Sequence, residues 1–442
     1  MPSLLAAAAV LLFATYLSLF PLAAVLAARA WTAWSGPRGP DRGAPDRGVP
    51  AALSLAACWG GSELLRGWLF TGFPWLGIGY AHVDGPLAGF APWLGVHGVG
   101  TVAALVAASL AFGVQAFSRK SHAEARKAIA IAVILPVAGA LLAGHEPTTP
   151  SGAPVRVRLA QGNVPQQLKF DRQRALDAML DYTRIVEASD AQLVVLPETA
   201  WTVPWGATPE EIAARITSHS RRQGVAIAIG MPLTEAAPVP EKAARYTNSV
   251  ALLVDGTPRA RYDKRHLVPF GEFIPTGFGW FVQLMHIPLG EFARGSRDQA
   301  PFEIGGQRFA FNICYEDLFG EELIGAIREG GASVLVNVSN IAWFGDSRAL
   351  PQHLAISRMR TLETGRPMLR ATNTGVTAFI DHRGRVQARL PHYRRDALDV
   401  SVQGTTGLTP YVRFGNLLPA ALAAALLALA RLAGGGGRRR NR

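Results

Sequence analysis

Cysteine is scarce in this sequence, and its scarcity narrows the chemistry that sulfur can perform. Among 442 residues only Cys58 and Cys314 carry a thiol, and they lie far apart in very different sequence contexts. This argues against a disulfide framework and excludes a metal site made of clustered cysteines. Any sulfur chemistry therefore depends on a single thiol.

Charged residues are also scarce, and acidic ones are the fewer of the two kinds. They make up 17% of the chain, against about 25% in a typical soluble protein, while hydrophobic residues make up 49% and mean hydropathy is +0.17. Part of the chain is therefore expected to lie in lipid. The excess of 44 basic over 32 acidic residues gives a formal charge of +12. That charge fits nucleic acid, an anionic membrane surface or topology-setting loops until its location is known.

Five long apolar segments predict membrane-spanning helices. The first, 4–28, has no charged residue and exceeds the ~20 residues needed to cross the hydrocarbon core. A cleaved signal peptide is the alternative, but no Lys or Arg precedes the run and it is too long for that role. The other candidate spans are residues 51–70, 86–117, 128–144 and 414–430.

The basic residues lie between and after these segments. They concentrate in 29–50, in 118–127 and in the C-terminal run 438–442. Cytoplasmic loops of membrane proteins carry such an excess of Lys and Arg. With five alternating spans, the N-terminus and residues 145–413 would then lie on the opposite side of the membrane. Topology accounts for the charge, so no nucleic-acid partner is expected.

The second segment contains an unusual charged pair. Glu63 and Arg66 stand three residues apart, close enough on one helix face to interact. Either charge would cost a few kcal/mol facing lipid, so both are expected to face protein or the interface. The sequence leaves open whether the pair is functional or only structural.

Residues 153–405 have the composition of a soluble α/β domain. Short β-branched runs alternate with amphipathic stretches, and both continuous and alternating apolar strands occur, as in a sheet covered by helices on one face and by a second sheet on the other. Helices are predicted near 171–189, 208–223, 317–329 and 351–364. Strands are predicted at Val155–Ala160, Leu193–Leu196, Val225–Gly230, Ser249–Val254, Phe309–Ile313, Val334–Val338 and Ala378–Asp381.

Three polar residues follow predicted strands or lead into loops, where α/β folds build their sites. Glu198 follows Leu193–Leu196, Lys264 begins a polar loop, and Cys314 follows Phe309–Ile313. Each has an ordinary explanation alone: a capping or surface carboxylate, a solvated lysine, and a small buried hydrophobe. Together they supply a base, a cation and a thiol.

This combination predicts acyl transfer through a thioester. We expect a cation and a helix N-terminus near Asp317 to lower the pKa of Cys314 by about one or two. Glu198 would accept the thiol proton as general base. Lys264 and a backbone N–H just after Cys314 would stabilise the oxyanion formed when the sulfur attacks an acyl carbon.

The motifs around these residues resemble a known family. LVVLPETA, YDKRHLVPFGEFIP and FNICYEDLF resemble the nitrilase, or carbon-nitrogen hydrolase, superfamily. The longer strings resemble the apolipoprotein N-acyltransferase family within it; they are QGNVPQQLKF, NVSNIAWFGDS, QHLAISRMRTLETGRPMLRATNTGVTAFIDHRG and LLRGWLFTGFPWLGIGY. The resemblance covers nearly the whole chain.

The resemblance implies a fold and a location. It implies an α/β protein in which a nitrilase-like αββα sandwich is inserted into a multi-span α-helical membrane domain. Residues 1–150 would hold about four transmembrane helices, 151–408 the catalytic domain, and 409–442 a last helix with a basic cytoplasmic tail. The protein would lie in the bacterial inner membrane with its catalytic domain in the periplasm.

The resemblance also implies a reaction. Cys314 would take an acyl chain from a phospholipid and pass it to the N-terminal amine of a diacylglyceryl apolipoprotein, with Glu198 as base and Lys264 as oxyanion partner. Supporting roles are implied for Glu272, Tyr315 and Glu316, and substrate contacts for Phe170, Asn248 and Trp343. A monomer without metal or organic cofactor is expected.

Two features depart from the family pattern, and two other functions remain open. The family usually has about eight spans rather than five, and Phe170 stands where tryptophan is usual. A membrane-tethered amidase or nitrilase would use the same thioester with water as acceptor and release ammonia from small amides. An inactive lipid-binding protein would instead carry a Cys314 thiol with an ordinary pKa near 8.5.

Overall fold

The computed structural model describes residues 3–35, 48–165, 171–235, 245–275, 277, 279 and 292–435. The chain divides into two compact units. One comprises Pro147–Leu408, and the other comprises Met1–Glu146 with Thr409–Arg442.

In the described residues of the unit Met1–Glu146 with Thr409–Arg442, every regular element is a helix. Four of its helical segments are long and apolar enough to cross a membrane: Leu4–Ser35, Pro86–Ser118, His122–Leu142 and Leu417–Gly434. The helices themselves are α1 (Ser3–Ser35), α2 (Gly48–Arg66), α3 (Ala91–Ser118), α4 (His122–Leu142), α9 (Pro410–Phe414) and α10 (Leu417–Gly435).

Helix α2 differs from the predicted span over 51–70. It ends at Arg66 and is not among those four segments of the described chain, so four such helices stand where the sequence predicts five. The glycines and serines of α2, together with Glu63 and Arg66, lower its mean hydropathy. Its small residues Ala52, Ala56 and Gly60 are buried, and it packs against α1, α3 and α10.

The unit Pro147–Leu408 contains two six-stranded mixed sheets. The strands are β1 (Thr149–Gln161), β2 (Leu193–Val195), β3 (Ala226–Thr234), β4 (Tyr246–Val254), β5 (Thr257–Asp263), β6 (Phe302–Ile304), β7 (Gln307–Ile313), β8 (Val334–Ser339), β9 (Met368–Thr372), β10 (Ala378–Ile380), β11 (Val386–Arg389) and β12 (Asp396–Thr406). The first sheet has the strand order β12-β1-β2-β3-β4-β5 and the second β11-β10-β9-β8-β7-β6. In each sheet three neighbouring strands run parallel, and the remaining strands pair antiparallel.

The main core lies between the two sheets. Val157, Leu159 and Val195 of the first sheet pack with Phe311 and Val336 of the second. These strands are apolar on both faces because helices cover the outer side: α5 (Arg172–Glu187) and α6 (Glu210–Gln223) on the first sheet, and α7 (Gly320–Arg328) and α8 (Ala349–Thr364) beside the second. The predicted αββα sandwich is confirmed.

The predicted strands and helices of this unit coincide with observed ones, but the chain after Cys314 differs. A 3-10 turn occupies Cys314–Leu318, and helix α7 begins only at Gly320, not near Asp317. Strands β5, β6, β9, β11 and β12 are additional. Several of these carry polar or charged residues that conceal the apolar pattern, such as Arg370 in the fully buried β9.

Candidate active site

The three predicted site residues, Glu198, Lys264 and Cys314, each follow the end of a strand. Glu198 follows β2 after Leu196 and Pro197, Lys264 directly follows β5, and Cys314 directly follows β7. Glu198 and Lys264 extend from the first sheet and Cys314 from the second. The backbone φ of Cys314 is +52°, a strained value for a residue other than glycine. Such a sharp turn after a strand is one way to present a nucleophilic side chain.

Two carboxylates and one ammonium form the centre of the site. The Lys264 ammonium donates to Oε1 of Glu272 at 2.9 Å and to Oε1 of Glu198 at 3.4 Å. The Asn248 side-chain nitrogen donates to the same two oxygens, each at 2.8 Å. All four side chains are at least nine-tenths buried. One lysine and one asparagine therefore hold the two carboxylates side by side.

The remaining carboxylate oxygens are held by the backbone. Oε2 of Glu198 accepts from the Asn340 N–H at 2.7 Å, and Oε2 of Glu272 accepts from the Val268 N–H at 2.8 Å. Both carboxylates are thus fixed in position and orientation by donors on strand β4, on the loop after β5 and on the loop after β8. Such pre-set geometry favours proton transfer over a short, defined path.

The electrostatic environment raises the pKa of Cys314, contrary to the sequence expectation. Burial is the main cause and the Glu198 carboxylate the second; the Lys264 ammonium opposes them, and the pKa reaches about 12. With two carboxylates and one ammonium around it, a thiolate would add a second uncompensated negative charge. The helix N-terminus expected to help lies six residues further along, at Gly320. The free thiol is therefore protonated, and its ionisation must be coupled to proton transfer.

Lys264 remains an ammonium in this setting. Burial lowers the pKa of the Lys264 amine, but the carboxylates of Glu272 and Glu198 more than offset this, so its pKa lies above the ordinary value. A permanent cation thus stands beside the thiol, where an oxyanion would form.

Glu316 joins the turn at Cys314–Leu318 to the segment that begins at Lys264, called here the lysine loop. One of its oxygens accepts the backbone N–H groups of Arg265 and His266 at 2.6 and 3.0 Å. The other accepts the Ile313 N–H at 2.7 Å and the Tyr262 hydroxyl at 2.9 Å. The residues on either side of Lys264 are therefore joined to the residue before Cys314 through one buried carboxylate.

Tyr315 packs its ring beside the same loop. Its ring lies 5.7 Å from the His266 ring and 5.2 Å from the Phe319 ring, centroid to centroid. The side chain is buried. Tyr315 thus contributes to the packing that supports the lysine loop.

A buried polar network surrounds Asp317 in the turn after Cys314, and the sequence analysis above does not predict this network. Asp317 accepts from His353 Nε2 at 3.0 Å, from the Ser357 hydroxyl at 2.5 Å and from Arg370 Nη1 at 3.2 Å. Burial raises the pKa of Asp317, but His353 and Arg370 outweigh it and hold this pKa below its usual value. Its four members come from the turn after Cys314, from α8 and from β9, so no local pattern links them.

The three residues predicted to contact substrate are Asn248, Trp343 and Phe170. Asn248 uses its side-chain nitrogen on the two carboxylates, and Trp343 is 74% exposed in a short 3-10 turn. Phe170 lies outside the described residues. Within the described ranges, no group of three or more His, Cys, Asp and Glu side chains is arranged to hold a metal ion.

Comparison with known proteins identifies two family segments. Residues 156–411 match carbon-nitrogen hydrolases, and residues 1–109 match the N-terminal domain of apolipoprotein N-acyltransferases. Together these segments span both the sandwich and most of the N-terminal helices.

Relatives aligned over most of their length give the same result. The chain is 46% identical over 446 aligned residues to an apolipoprotein N-acyltransferase of Bordetella bronchiseptica, covering 96% of this chain and 81% of that protein. It is 49% identical over 438 residues to one of Ralstonia nicotianae, covering 98% and 79%. Among solved structures, the C. elegans NitFhit protein aligns with a TM-score of 0.44 and 17% identity, over 65% of this chain and 66% of that one. The chain belongs to the apolipoprotein N-acyltransferase family, within the carbon-nitrogen hydrolase superfamily.

Proposed function

We propose that this protein transfers an acyl chain from a phospholipid, through a thioester on Cys314, to the N-terminal amine of diacylglyceryl apolipoproteins. The observation that carries the proposal is the Cys314 thiol beside the Glu198, Lys264 and Glu272 cluster, on a chain with four apolar helices and relatives of this activity that align over most of their length. Family membership makes the protein an acyltransferase of lipoprotein maturation; the residue roles below are our assignment.

In the first half-reaction the sulfur of Cys314 attacks the ester carbonyl carbon of the phospholipid. Glu198 takes the thiol proton as the C–S bond forms, which is required because the pKa of the resting thiol is about 12. The Lys264 ammonium stabilises the tetrahedral oxyanion. The C–O ester bond then breaks, the alkoxide leaves with the proton from Glu198, and lysophospholipid is released.

In the second half-reaction the lipoprotein amine attacks the thioester carbonyl. Glu198 accepts a proton from the amine, an amide bond forms, and the C–S bond breaks. The departing sulfur recovers the proton from Glu198, so the free enzyme is restored. The same base and the same oxyanion partner serve both halves.

Four of the remaining residues act by positioning. Glu272 and Asn248 hold Glu198 and Lys264 in register, and Glu316 with Tyr315 holds the lysine loop against the nucleophile turn. We assign Trp343 to the substrate side because its ring is exposed near the end of β8. Phe170 is assigned the same side from the family motif alone.

The location proposed is the bacterial inner membrane, with residues 151–408 in the periplasm. The basic segments 29–50 and 118–127 support this orientation, because such loops remain cytoplasmic. The substrates are a phospholipid donor and a diacylglyceryl apolipoprotein acceptor, and we assign a monomer without a cofactor. Hydrolysis of small amides and inactive lipid binding are not favoured by the family relationship.

Intact-mass spectrometry tests the proposal directly. The detergent-purified protein is incubated with a phospholipid of known acyl chain, beside Cys314→Ala and the matched thiol control Cys58→Ala. We expect one acyl adduct on the parent protein and on Cys58→Ala, none on Cys314→Ala, and loss of the adduct when a diacylated lipopeptide amine is added.

Two outcomes would contradict it. A folded parent protein that forms no adduct would favour an inactive lipid-binding protein. An adduct that is lost to water, together with ammonia release from small amides, would favour an amidase.

A further inference from the structure

Ser339 is a buried serine that the reaction steps above do not use. It is the last residue of β8 and is fully buried. Its Oγ makes no well-formed hydrogen bond to any residue that the structure describes. Most buried hydroxyl groups are paired, and leaving one unpaired costs stability. The protein therefore keeps this hydroxyl at a cost, which a role in catalysis would explain.

The register of the second sheet places Ser339 beside the nucleophile. Ile313 of β7 pairs with Val338 of the parallel strand β8, so the next residues along the two strands are Cys314 and Ser339. Neighbouring strands lie about 4.8 Å apart. The Asn337 side-chain nitrogen also donates to the Cys314 carbonyl oxygen at 3.2 Å, which holds the turn against β8. Ser339 and Cys314 are therefore neighbours across the sheet.

The neighbour of Ser339 on the opposite side is already engaged. Ser339 pairs with Thr372 of β9. The Thr372 hydroxyl is hydrogen-bonded to the Thr377 hydroxyl at 3.0 Å. Of these two neighbours in the sheet, the register thus leaves the sulfur of Cys314 as the acceptor for the Ser339 hydroxyl.

The charge on the sulfur decides whether it accepts this hydrogen bond. A neutral thiol is a weak acceptor, whereas an ionised acceptor forms a shorter and stronger bond. Burial and the Glu198 carboxylate raise the pKa of Cys314 to about 12, against the opposing effects of the Lys264 ammonium and the Ser339 hydroxyl. The resting sulfur is therefore protonated and holds the hydroxyl only weakly. A donor that bonds mainly to the ionised sulfur favours that form selectively.

We infer that Ser339 is a further catalytic residue, whose hydroxyl donates a hydrogen bond to the Cys314 sulfur whenever that sulfur carries negative charge. This happens twice: as the thiol proton passes to Glu198 before the C–S bond is complete, and as the C–S bond of the thioester breaks. Ser339 keeps its own proton throughout, so the proton balance of both half-reactions is unchanged. The inference deepens the proposed function, on which it rests, by adding a neutral donor to the site.

The first test measures the acidity of the Cys314 thiol. It uses a Cys58→Ser, Glu198→Gln background, because removing the carboxylate brings the thiol pKa into the range that alkylation by iodoacetamide can follow. Ser339→Ala is added to this background, and alkylation rates are measured across pH by mass spectrometry. We expect Ser339→Ala to raise the thiol pKa by about 1–2 and to slow alkylation near neutral pH about 10–100-fold.

The matched control is Ser220→Ala. Ser220 is a fully buried serine of α6, but its hydroxyl donates to the Val225 carbonyl oxygen at 2.8 Å. In the same background Ser220→Ala should leave the thiol pKa unchanged. Because alkylation needs no acyl donor, this comparison tests the inference even if the parent protein forms no acyl adduct, an outcome that would overturn the proposed function alone.

The second test measures catalysis and stability with Glu198 intact. Ser339→Ala should slow both the acylation of Cys314 by phospholipid and the transfer to a lipopeptide amine, each about 10-fold. Its thermal unfolding temperature should stay near that of the parent, because no well-formed hydrogen bond is lost. Ser220→Ala should show the reverse: parent rates, with an unfolding temperature about 2–4 °C lower.

Two results would overturn the inference. The first is a thiol pKa that Ser339→Ala leaves unchanged in the Glu198→Gln background, which would show that the hydroxyl does not bond to the sulfur. The second is slower acyl transfer by Ser339→Ala together with an unchanged thiol pKa and a lower unfolding temperature, which would make Ser339 a structural residue.

Discussion

Replacing Glu198 by glutamine should change the acidity of Cys314 and its catalytic use in opposite directions. The pKa of the parent thiol is about 12, so about 3 thiols in 100,000 are ionised at pH 7.5. After burial, the Glu198 carboxylate is the largest cause of that high pKa. Glutamine is similar in shape but carries no charge, so Glu198→Gln removes one of the two negative charges beside the thiol.

The size of the change follows from the neighbouring charges. One close unit charge changes a pKa by about 1–3, so the thiol pKa of Glu198→Gln should fall to about 9–11. At pH 8 the thiolate fraction, and with it the rate of alkylation by iodoacetamide, should rise about 10–1,000-fold. Acyl transfer should nevertheless fall by about 100-fold or more, because no general base remains to take the proton.

The assay uses a Cys58→Ser background, in which Cys314 is the only thiol of the chain. Alkylation rates are measured from pH 6 to 11 by mass spectrometry, with Glu272→Gln beside Glu198→Gln. Glu272→Gln should lower the thiol pKa less, because its carboxylate acts on Cys314 more weakly than that of Glu198. A parent thiol that titrates near 8.5, or a Glu198→Gln thiol with an unchanged pKa, would refute this account of the site.

Two further predictions concern the supports of the site. Glu316→Gln replaces one acceptor oxygen by a donor and leaves two of the four groups that donate to Glu316 without an acceptor. We expect the free energy of unfolding to fall by about 2–6 kcal/mol and the rate of Cys314 acylation to fall at least about 100-fold, both measured against the exposed control Glu303→Gln. Rates near those of the parent protein would contradict this role of Glu316. Asp317→Asn removes the countercharge of buried Arg370 and should destabilise the domain by about 3–5 kcal/mol at pH 7. Folding lowers the pKa of Asp317, so its carboxylate stabilises the fold fully above the unfolded-state pKa near 3.9, and this stabilisation is lost as pH falls through the folded-state pKa. The thermal unfolding temperatures of parent and variant should therefore converge at low pH. A difference in unfolding temperature that stays constant across pH would contradict this account.

Much of the architecture could be predicted from the sequence because the signals are local. The long apolar runs, such as residues 4–28, predict helices whatever they pack against. Each of the five contains a helix, and four of those described helices are long and apolar enough to cross a membrane. Continuous β-branched runs such as Leu193–Leu196 predict buried strands, and the polar residues that follow them are found together. Family motifs around Glu198, Lys264 and Cys314 predicted the sandwich. Strands such as β9 were missed because Arg370 breaks their apolar pattern, and only the network with Asp317 explains its burial.

Only the tertiary structure decided the electrostatics and the supporting contacts. The sequence contains a base, a cation and a thiol but does not show how far apart they lie. In the folded protein two carboxylates and one ammonium surround the buried Cys314 thiol, and this environment raises its pKa rather than lowering it. The hydrogen bonds of Glu316 join residues about 50 positions apart. Helices and strands follow from neighbouring residues, whereas desolvation, hydrogen bonds and ion pairs depend on which distant residues the fold brings within a few ångströms.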